Sequence, residues 1–173
     1  MDRDELLRAL RELSERLRSP CEIVIVGGAA MILCYGASRA THDVDVLLLS
    51  GNTTEVRRIA RQVAGEYNLP EDWLNDAVKG YADILPPDFR ERLYLLGSFN
   101  QVTLYALGLP EQAAMKIVAL RDQDLEDLEL LMPRLQESDK AVIRQIVTQV
   151  ARMRPDWAQR LRYFLMEQGW KLE

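Results

Sequence analysis

The chain has 173 residues and a formal net charge of −5, with 48% hydrophobic and 28% charged residues. This length fits one domain, or one domain with a small helical appendix, and the composition is ordinary for a soluble globular protein. An acidic chain excludes a generic nucleic-acid coat, so any contact with nucleic acid must be local. We expect a cytoplasmic protein with no membrane contact, because the N-terminal segment is charged and no stretch approaches the ~20 apolar residues of a membrane span.

The first part of the sequence predicts alternating helices and strands. Leucines at three- and four-residue steps predict a helix over residues 2–18, which Ser19-Pro20 ends. The apolar run 22–26 predicts a buried strand, and the compact apolar segment 29–35 predicts a short buried helix. Residues 43–49 alternate at first and then become fully apolar, which predicts a second strand with one exposed end and one buried end.

The middle of the chain mixes helix, irregular structure and strands. A capped start followed by a helical pattern predicts a helix over residues 52–67. The stretch 68–87 is broken by prolines and a glycine, which predicts a structured loop or short helices. Two more strands are predicted at 93–96 and 101–107, with a turn at 97–100 between them.

After Pro110 the pattern is helical throughout, and prolines mark the breaks. The predicted helices are 111–132, 138–153 and 156–168. The fold class is therefore α/β (α+β), with a small mixed sheet flanked by helices and a C-terminal helical bundle. We place the core with its N-terminal helix at 1–109 and the C-terminal helical region, packed on that core, at 110–173.

Four residues form a pattern with chemical meaning. Gly27 and Gly28 follow the first predicted strand, where glycine lets the backbone turn into a helix and lets a phosphate approach without a Cβ in the way. Asp43 and Asp45 are two apart on the next predicted strand, so both side chains project from the same face. Neighbouring carboxylates repel each other unless a cation lies between them, and Mg²⁺ takes such oxygen ligands while bridging to substrate phosphates.

The combination is more specific than its parts. A strand, a Gly-Gly pair, a short apolar helix and then Asp-X-Asp on a second strand resemble the active-site motif of the polymerase-β-like nucleotidyltransferases. Fourteen residues separate Gly28 from Asp43, slightly more than is usual in that superfamily. Long spacings with Arg-X-Thr just before the acids, here Arg39 and Thr41, are similar to the AbiEii and MenT toxin branch.

Two further segments extend the resemblance. The segment LPEDWLNDAVKGY, residues 69–81, resembles a stretch found in one bacterial branch of these nucleotidyltransferases. Residues 109–131 are similar to the AbiEii-type helix that carries a lysine and a later acid. The resemblance therefore covers roughly residues 22–132 and leaves the first helix and the last part of the chain outside.

The resemblance implies a site for a nucleoside triphosphate and a divalent cation. By carry-over, the backbone at Gly27 and Gly28 would hold the nucleotide phosphates. Asp43 and Asp45 would act as catalytic residues by binding the metal, Mg²⁺ or Mn²⁺.

Five other residues receive roles from the same resemblance. Arg39 and Thr41 would belong to the nucleotide-binding motif, although Arg39 is equally suited to a structural ion pair. Lys116 would match a phosphate-contacting lysine, and Asp124 or Asp127 would match a distal acid. On one continuous helix Asp127 is favoured, because it lies about 20° from the face of Lys116, against about 80° for Asp124.

One departure from the superfamily concerns a third carboxylate. Many members carry it on a later central strand, as a general base, whereas the candidate strand 101–107 reads QVTLYAL and has none. Asp83 is a possible substitute that no specific feature supports. An enzyme without this base would be slow, would use the distal helix acid or would be inactive, and all three alternatives stay open.

The leading expectation is a metal-dependent nucleotidyltransferase that moves a nucleotidyl group from a nucleoside triphosphate to a tRNA or protein hydroxyl. Such a protein could belong to a toxin–antitoxin pair with a cognate partner. One alternative is a catalytically silent nucleotidyltransferase fold that serves as a binding module or antitoxin-like partner. Another is a structural domain in which Asp-X-Asp is incidental. Nucleotide binding separates them, because an active enzyme should bind triphosphate only with Mg²⁺ or Mn²⁺.

Overall fold

The computed structural model of the protein describes residues 1–76 and 79–170, apart from the side chain of Lys79. In these residues helices and strands alternate at first, and the chain is helical after the last strand. The elements are α1 (Arg3–Arg16), β1 (Cys21–Val26), α2 (Gly27–Cys34), β2 (Val44–Ser50), α3 (Thr53–Tyr67), β3 (Leu74–Asn75), α4 (Lys79–Ala82), β4 (Tyr94–Phe99), β5 (Val102–Ala106), α5 (Leu109–Ala119), α6 (Asp122–Leu131), α7 (Glu137–Met153) and α8 (Pro155–Glu167). Short 3₁₀ helices occupy Phe89–Arg92 and Met132–Arg134.

The chain divides into two compact units. The first unit consists of Met1–Ala82 and Leu93–Leu107, and it contains the whole sheet. The second consists of Asp83–Arg92 and the chain from Gly108 onward, and it is helical. The predicted fold class, a mixed sheet flanked by helices with helices at the C-terminal end, is confirmed. The predicted boundary between residues 109 and 110 stays a prediction, and residues 171–173 of that predicted region lie outside the described part.

The sheet of the first unit has five strands in the order β3-β2-β1-β5-β4. β1 pairs antiparallel with β2 and parallel with β5. β2 pairs parallel with β3, and β4 pairs antiparallel with β5. The central strand β1 is buried except at Glu22, which fits the continuous apolar run from Ile23 to Val26.

The helices of the first unit follow from local signals in the sequence. Asp2 and Glu5 form a capping box that starts α1. The side chain of Asn52 accepts a hydrogen bond from the backbone N–H of Glu55 and so caps α3. α1 contacts both α2 and α3. Of the five leucines whose spacing predicts this helix, Leu7 is 40% exposed and the other four are buried: Leu6, Leu10, Leu13 and the C-cap residue Leu17.

The hairpin between β4 and β5 differs from the prediction. The turn predicted at 97–100 is wrong in position, because β4 continues through Phe99 and pairs it with Val102. The connection is Asn100-Gln101, and Asn100 takes a φ of 56°. Asparagine tolerates this left-handed conformation better than most residues. Gly97 lies inside β4 at an irregularity in the ladder, a common place for glycine in a strand.

The predicted helix 111–132 is wrong in its middle, because two helices replace it. α5 ends at Ala119, and the residue that caps it, Leu120, has a φ of 46° and donates its backbone N–H to the carbonyl of Lys116. α6 then begins, and the carboxylate of Asp124 accepts the backbone N–H of Arg121 at 3.1 Å. The comparison of helical angles for Asp124 and Asp127 therefore does not apply, because it assumed one continuous helix.

The second unit is built around α5, which contacts α6, α7 and α8. Every residue of α5 from Pro110 to Val118 is buried, including three polar side chains. These are Glu111, Gln112 and Lys116. No helix in the described part of the chain is both long and apolar enough to cross a membrane.

Candidate active site

The two aspartates of the predicted metal site lie at the start of β2. Asp43 directly precedes the strand and is exposed, whereas Asp45 lies within it and is half-buried. Val44 and Val46 point the other way and are 0% and 1% exposed. The alternation of the strand therefore puts both carboxylates on the face opposite the two buried valines.

The carboxylate of Asp45 lies against the start of α2. Asp45 is paired with Val26 across β1 and β2, so the residue that follows Val26 approaches its side chain. That residue, Gly27, has a φ of +63°, and a Cβ on it would lie 3.2 Å from Oδ2 of Asp45. α2 begins here, and its N-cap residue contributes no side-chain hydrogen bond. Glycine is thus needed for the backbone conformation and for the close approach.

Arg39 and Thr41 lie beside the second glycine. A Cβ on Gly28 would be 3.4 Å from Oγ1 of Thr41 and 3.8 Å from Nη2 of Arg39. The hydroxyl of Thr41 donates to the backbone carbonyl of Asp43 at 3.1 Å. The backbone N–H of Thr41 donates to the carbonyl of Met1 at 2.9 Å, which further fixes this loop. The first unit thus brings together all six of the site residues that were predicted within it.

A further polar residue, which the sequence patterns did not single out, lies at the same place. β3 is the strand next to β2, and it pairs Asn75 with Asp45. The amide Nδ2 of Asn75 donates to Oδ2 of Asp43 at 3.4 Å. The sequence pattern suggested the predicted strand 101–107 as the place of a third carboxylate. That segment contains β5, which pairs with β1 and not with β2. The available signal was the segment 69–81, although its Ala77 and Val78 lie outside the described residues.

Lys116, Asp124 and Asp127 lie together in the second unit as a buried ion-pair network. Nζ of Lys116 is 2.9 Å from Oδ1 of Asp124 and 2.8 Å from Oδ2 of Asp127. The two aspartates are 1% and 0% exposed and the lysine 5%. Burial alone would raise the pKa of Asp124, but hydrogen bonds from Arg121 and Lys116 outweigh it and lower that pKa below its usual range.

Asp83, the possible substitute for a third carboxylate, belongs to the second unit. Its backbone carbonyl accepts a hydrogen bond from the side chain of Gln149 at 3.0 Å. Elsewhere in this unit, Glu111 is fully buried and burial raises its pKa, while its Oε1 lies 2.6 Å from Arg92.

The donor set of the first unit fits a hard divalent cation that arrives together with phosphates. Among the residues that the structure describes, no group of three or more His, Cys, Asp or Glu side chains could hold a metal ion by itself. Asp43 and Asp45 form a pair, and Mg²⁺ is commonly bound by one or two carboxylates completed by water and substrate phosphates. The missing Cβ at Gly27 lets the backbone at the start of α2 lie directly beside Asp45 of this pair. The pair therefore suits a cation shared with a nucleotide better than a preformed all-protein metal cage.

The structure places the Gly-Gly helix start beside Asp-X-Asp on the neighbouring strand, as the resemblance to nucleotidyltransferases implies. Residues 3–171 match the family described as "Nucleotidyltransferase of unknown function (DUF6036)", and the chain belongs to that family. The match includes the first helix and the C-terminal helices, which the motif resemblance did not reach. No curated protein matches the chain. Membership supports nucleotidyl transfer as the general function, while the similarity to the AbiEii and MenT branch stays a prediction.

Proposed function

We propose that the protein transfers a nucleotidyl group from a nucleoside triphosphate to a hydroxyl group of a tRNA or a protein, with Mg²⁺ or Mn²⁺ bound by Asp43 and Asp45. The observation that carries this proposal is the close approach of Gly27 to Asp45 at the first turn of α2. A Cβ added to Gly27 would lie only 3.2 Å from Oδ2 of Asp45. The first turn of α2, where phosphates would be held, and the carboxylates that would bind the cation are thus adjacent.

The charges explain why both ligands are needed. The first turn of a helix favours an anion, because its backbone N–H groups and the helix dipole point toward it. Asp43 and Asp45 would repel that anion unless a cation lay between them. Arg39, close to Gly28, supplies a further positive charge beside the same turn. The triphosphate and the cation should therefore bind together and only weakly apart.

The reaction proposed is a substitution at the α-phosphorus. The acceptor oxygen forms a bond to that phosphorus, the bond to the bridging oxygen breaks, pyrophosphate leaves and the hydroxyl proton is released to water. When bound, the cation supplies charge neutralisation on the triphosphate and favours ionisation of the attacking hydroxyl. The protein's own part is to hold the phosphates at Gly27 and Gly28 and the two carboxylates at a fixed spacing.

Lys116 is not required by this proposal. In the second unit its ammonium group is almost fully buried and is paired with both Asp124 and Asp127. The roles that the resemblance implies for these three residues stay predictions. Membership of the AbiEii and MenT branch would add a cognate partner protein in a toxin–antitoxin pair.

Thermal denaturation with each nucleoside triphosphate, with and without Mg²⁺, tests the proposal. Binding at a hundred times the dissociation constant should stabilise the native state by about 2.7 kcal/mol. We expect a metal-dependent shift that the double variant Asp43→Ala/Asp45→Ala loses. The matched control, Glu71→Gln/Asp72→Asn, removes two exposed carboxylates of the same unit and should keep the shift. A nucleotide-dependent rise in melting temperature in both double variants, or in the absence of metal, would contradict the proposed site.

Transfer itself needs a second assay, because binding alone is also expected of a catalytically silent module. The protein is incubated with triphosphate labelled at the α-phosphate, Mn²⁺ or Mg²⁺, and either a tRNA pool or a protein extract. Label that becomes covalently attached to one acceptor class, with release of pyrophosphate, would support the enzyme and identify its acceptor. Metal-dependent binding with no transfer to either class would favour the silent binding module.

A further inference from the structure

The short strand β3 is anchored by the tryptophan that precedes it. Trp73 is 0% exposed, and its indole N–H donates to the carbonyl of Ala60 in α3 at 2.9 Å. The backbone carbonyl of Trp73 accepts the N–H of Val44 at 2.6 Å. The residue two places after Trp73 is therefore held at a defined position beside β2.

That residue, Asn75, faces the two aspartates. It is paired with Asp45 in the register of β2 and β3, and neighbouring in-register residues project from the same face of a sheet. Its amide donates to Asp43, so it lies beside both carboxylates. The acid that follows it, Asp76, bonds instead with Arg57 of α3, at 2.8 and 2.9 Å.

An asparagine at this place has properties that a third carboxylate would lack. It donates a hydrogen bond to Asp43, whereas an ionised carboxylate could only accept one and would repel both neighbours. It adds no charge, so Asp43, Asp45 and Asn75 together carry two negative charges and not three. The affinity of an oxygen site for a divalent cation depends strongly on the number of charged ligands.

We propose that Asn75 is the third residue of the cation site, a neutral group that positions the carboxylate of Asp43 and limits the charge of the site. A divalent cation then binds weakly to the protein alone and tightly only with the triphosphate, whose phosphates supply the missing negative charge. This inference rests on the proposed function, because it assigns a role to Asn75 within the same site.

The test is the affinity for Mn²⁺ without nucleotide, followed by the electron paramagnetic resonance signal of the free ion. A third carboxylate beside the pair should strengthen binding, so Asn75→Asp should bind Mn²⁺ at least about tenfold more tightly than the wild type. Asn75→Ala, which loses the amide, should weaken Mn²⁺ binding in the presence of triphosphate by a few-fold. Asp76→Asn is the matched control, because it changes the adjacent acid, and it should stay within twofold in both measurements.

The outcomes separate this inference from the proposed function. In one outcome, Asp43→Ala/Asp45→Ala abolishes the binding of Mn²⁺ with triphosphate, but Asn75→Asp does not change the affinity for Mn²⁺ measured without nucleotide. That outcome overturns the role of Asn75 and leaves the site itself standing. An equal effect of Asp76→Asn also overturns it. Absence of any binding that depends on the two aspartates overturns the proposed function, and this inference with it. Melting temperatures measured without ligand confirm that each variant is folded.

Discussion

Replacing Lys116 by methionine should strongly destabilise the protein. The substitution keeps the length of the lysine's aliphatic stem but leaves Asp124 and Asp127, which are 1% and 0% exposed, without the ammonium group that lies 2.9 and 2.8 Å away. Breaking a buried ion pair from one side typically costs about 3–5 kcal/mol, since the charge that stays buried loses most of its compensation. For a chain of this size that corresponds to a lowering of the melting temperature by about 6–20 °C.

Urea denaturation followed by far-ultraviolet circular dichroism measures the cost, and two further variants show its origin. Arg121→Met removes the exposed partner of Asp124 and should cost less than Lys116→Met, because Lys116 and the backbone N–H of residue 121 still compensate the carboxylate. The triple variant Lys116→Met/Asp124→Asn/Asp127→Asn removes the buried charges together and should recover much of the loss. A cost below about 1 kcal/mol for Lys116→Met would refute this reasoning. Loss of nucleotide binding with full stability would instead support the phosphate role.

Three other predictions concern local features of the fold. Gly27→Ala should cost about 1–2 kcal/mol, because an L-residue is strained at a φ of +63°, and should also reduce the nucleotide-dependent melting shift. Gly28→Ala, without that strain, is its control, and equal costs in urea denaturation would contradict the explanation. Asn52→Ala should lower the free energy of unfolding by about 1 kcal/mol in the same assay, because α3 loses its cap. Asn52→Asp keeps an oxygen that can cap the helix and should retain most of that stability. Equal losses in the two variants would exclude capping as the cause. The lowered pKa of Asp124 means that its stabilisation is complete above its unfolded-state pKa, about 4, and is lost as the pH falls through the lower folded-state pKa. Asp124→Asn should therefore flatten the acid limb of a plot of unfolding free energy against pH, and an unchanged limb would mean that other groups control acid unfolding.

Elements with strong local signals could be predicted from the sequence. The leucine stripe of α1 and the capped start of α3 depend on residues three or four apart, and the structure contains both. β1 could be predicted because four consecutive apolar, β-branched residues end it, Ile23 to Val26. These patterns arise from burial and capping within one element, so no knowledge of the remaining chain is needed.

Features that depend on distant residues could not be predicted in the same way. The break after α5 has no glycine or proline to mark it, because Leu120 itself takes the left-handed conformation. β3 has only two residues, and its position depends on the burial of Trp73 against α3. An alternation of side chains over so short a strand gives no usable period.

The candidate site shows the same division. Gly27, Gly28, Asp43 and Asp45 lie within one short stretch, and a local motif was enough to group them. Asn75 lies thirty residues beyond Asp45, and its relation to the pair depends on which strand lies beside β2. The sequence pattern pointed to β5 for a third polar ligand, because strand order cannot be read from periodicity.

The interrupted path of the chain has a consequence for synthesis on the ribosome. Residues 83–92 leave the ribosome before β5, yet their own unit also needs the chain from Gly108 onward. Until residues 102–106 emerge, one edge of the apolar strand β1 has no neighbour, and exposed strand edges favour aggregation. Neither unit can therefore be completed from a contiguous N-terminal fragment that ends at Ala82. Nascent chains stalled at that length should be bound by chaperones more strongly than chains stalled after the helices of the second unit.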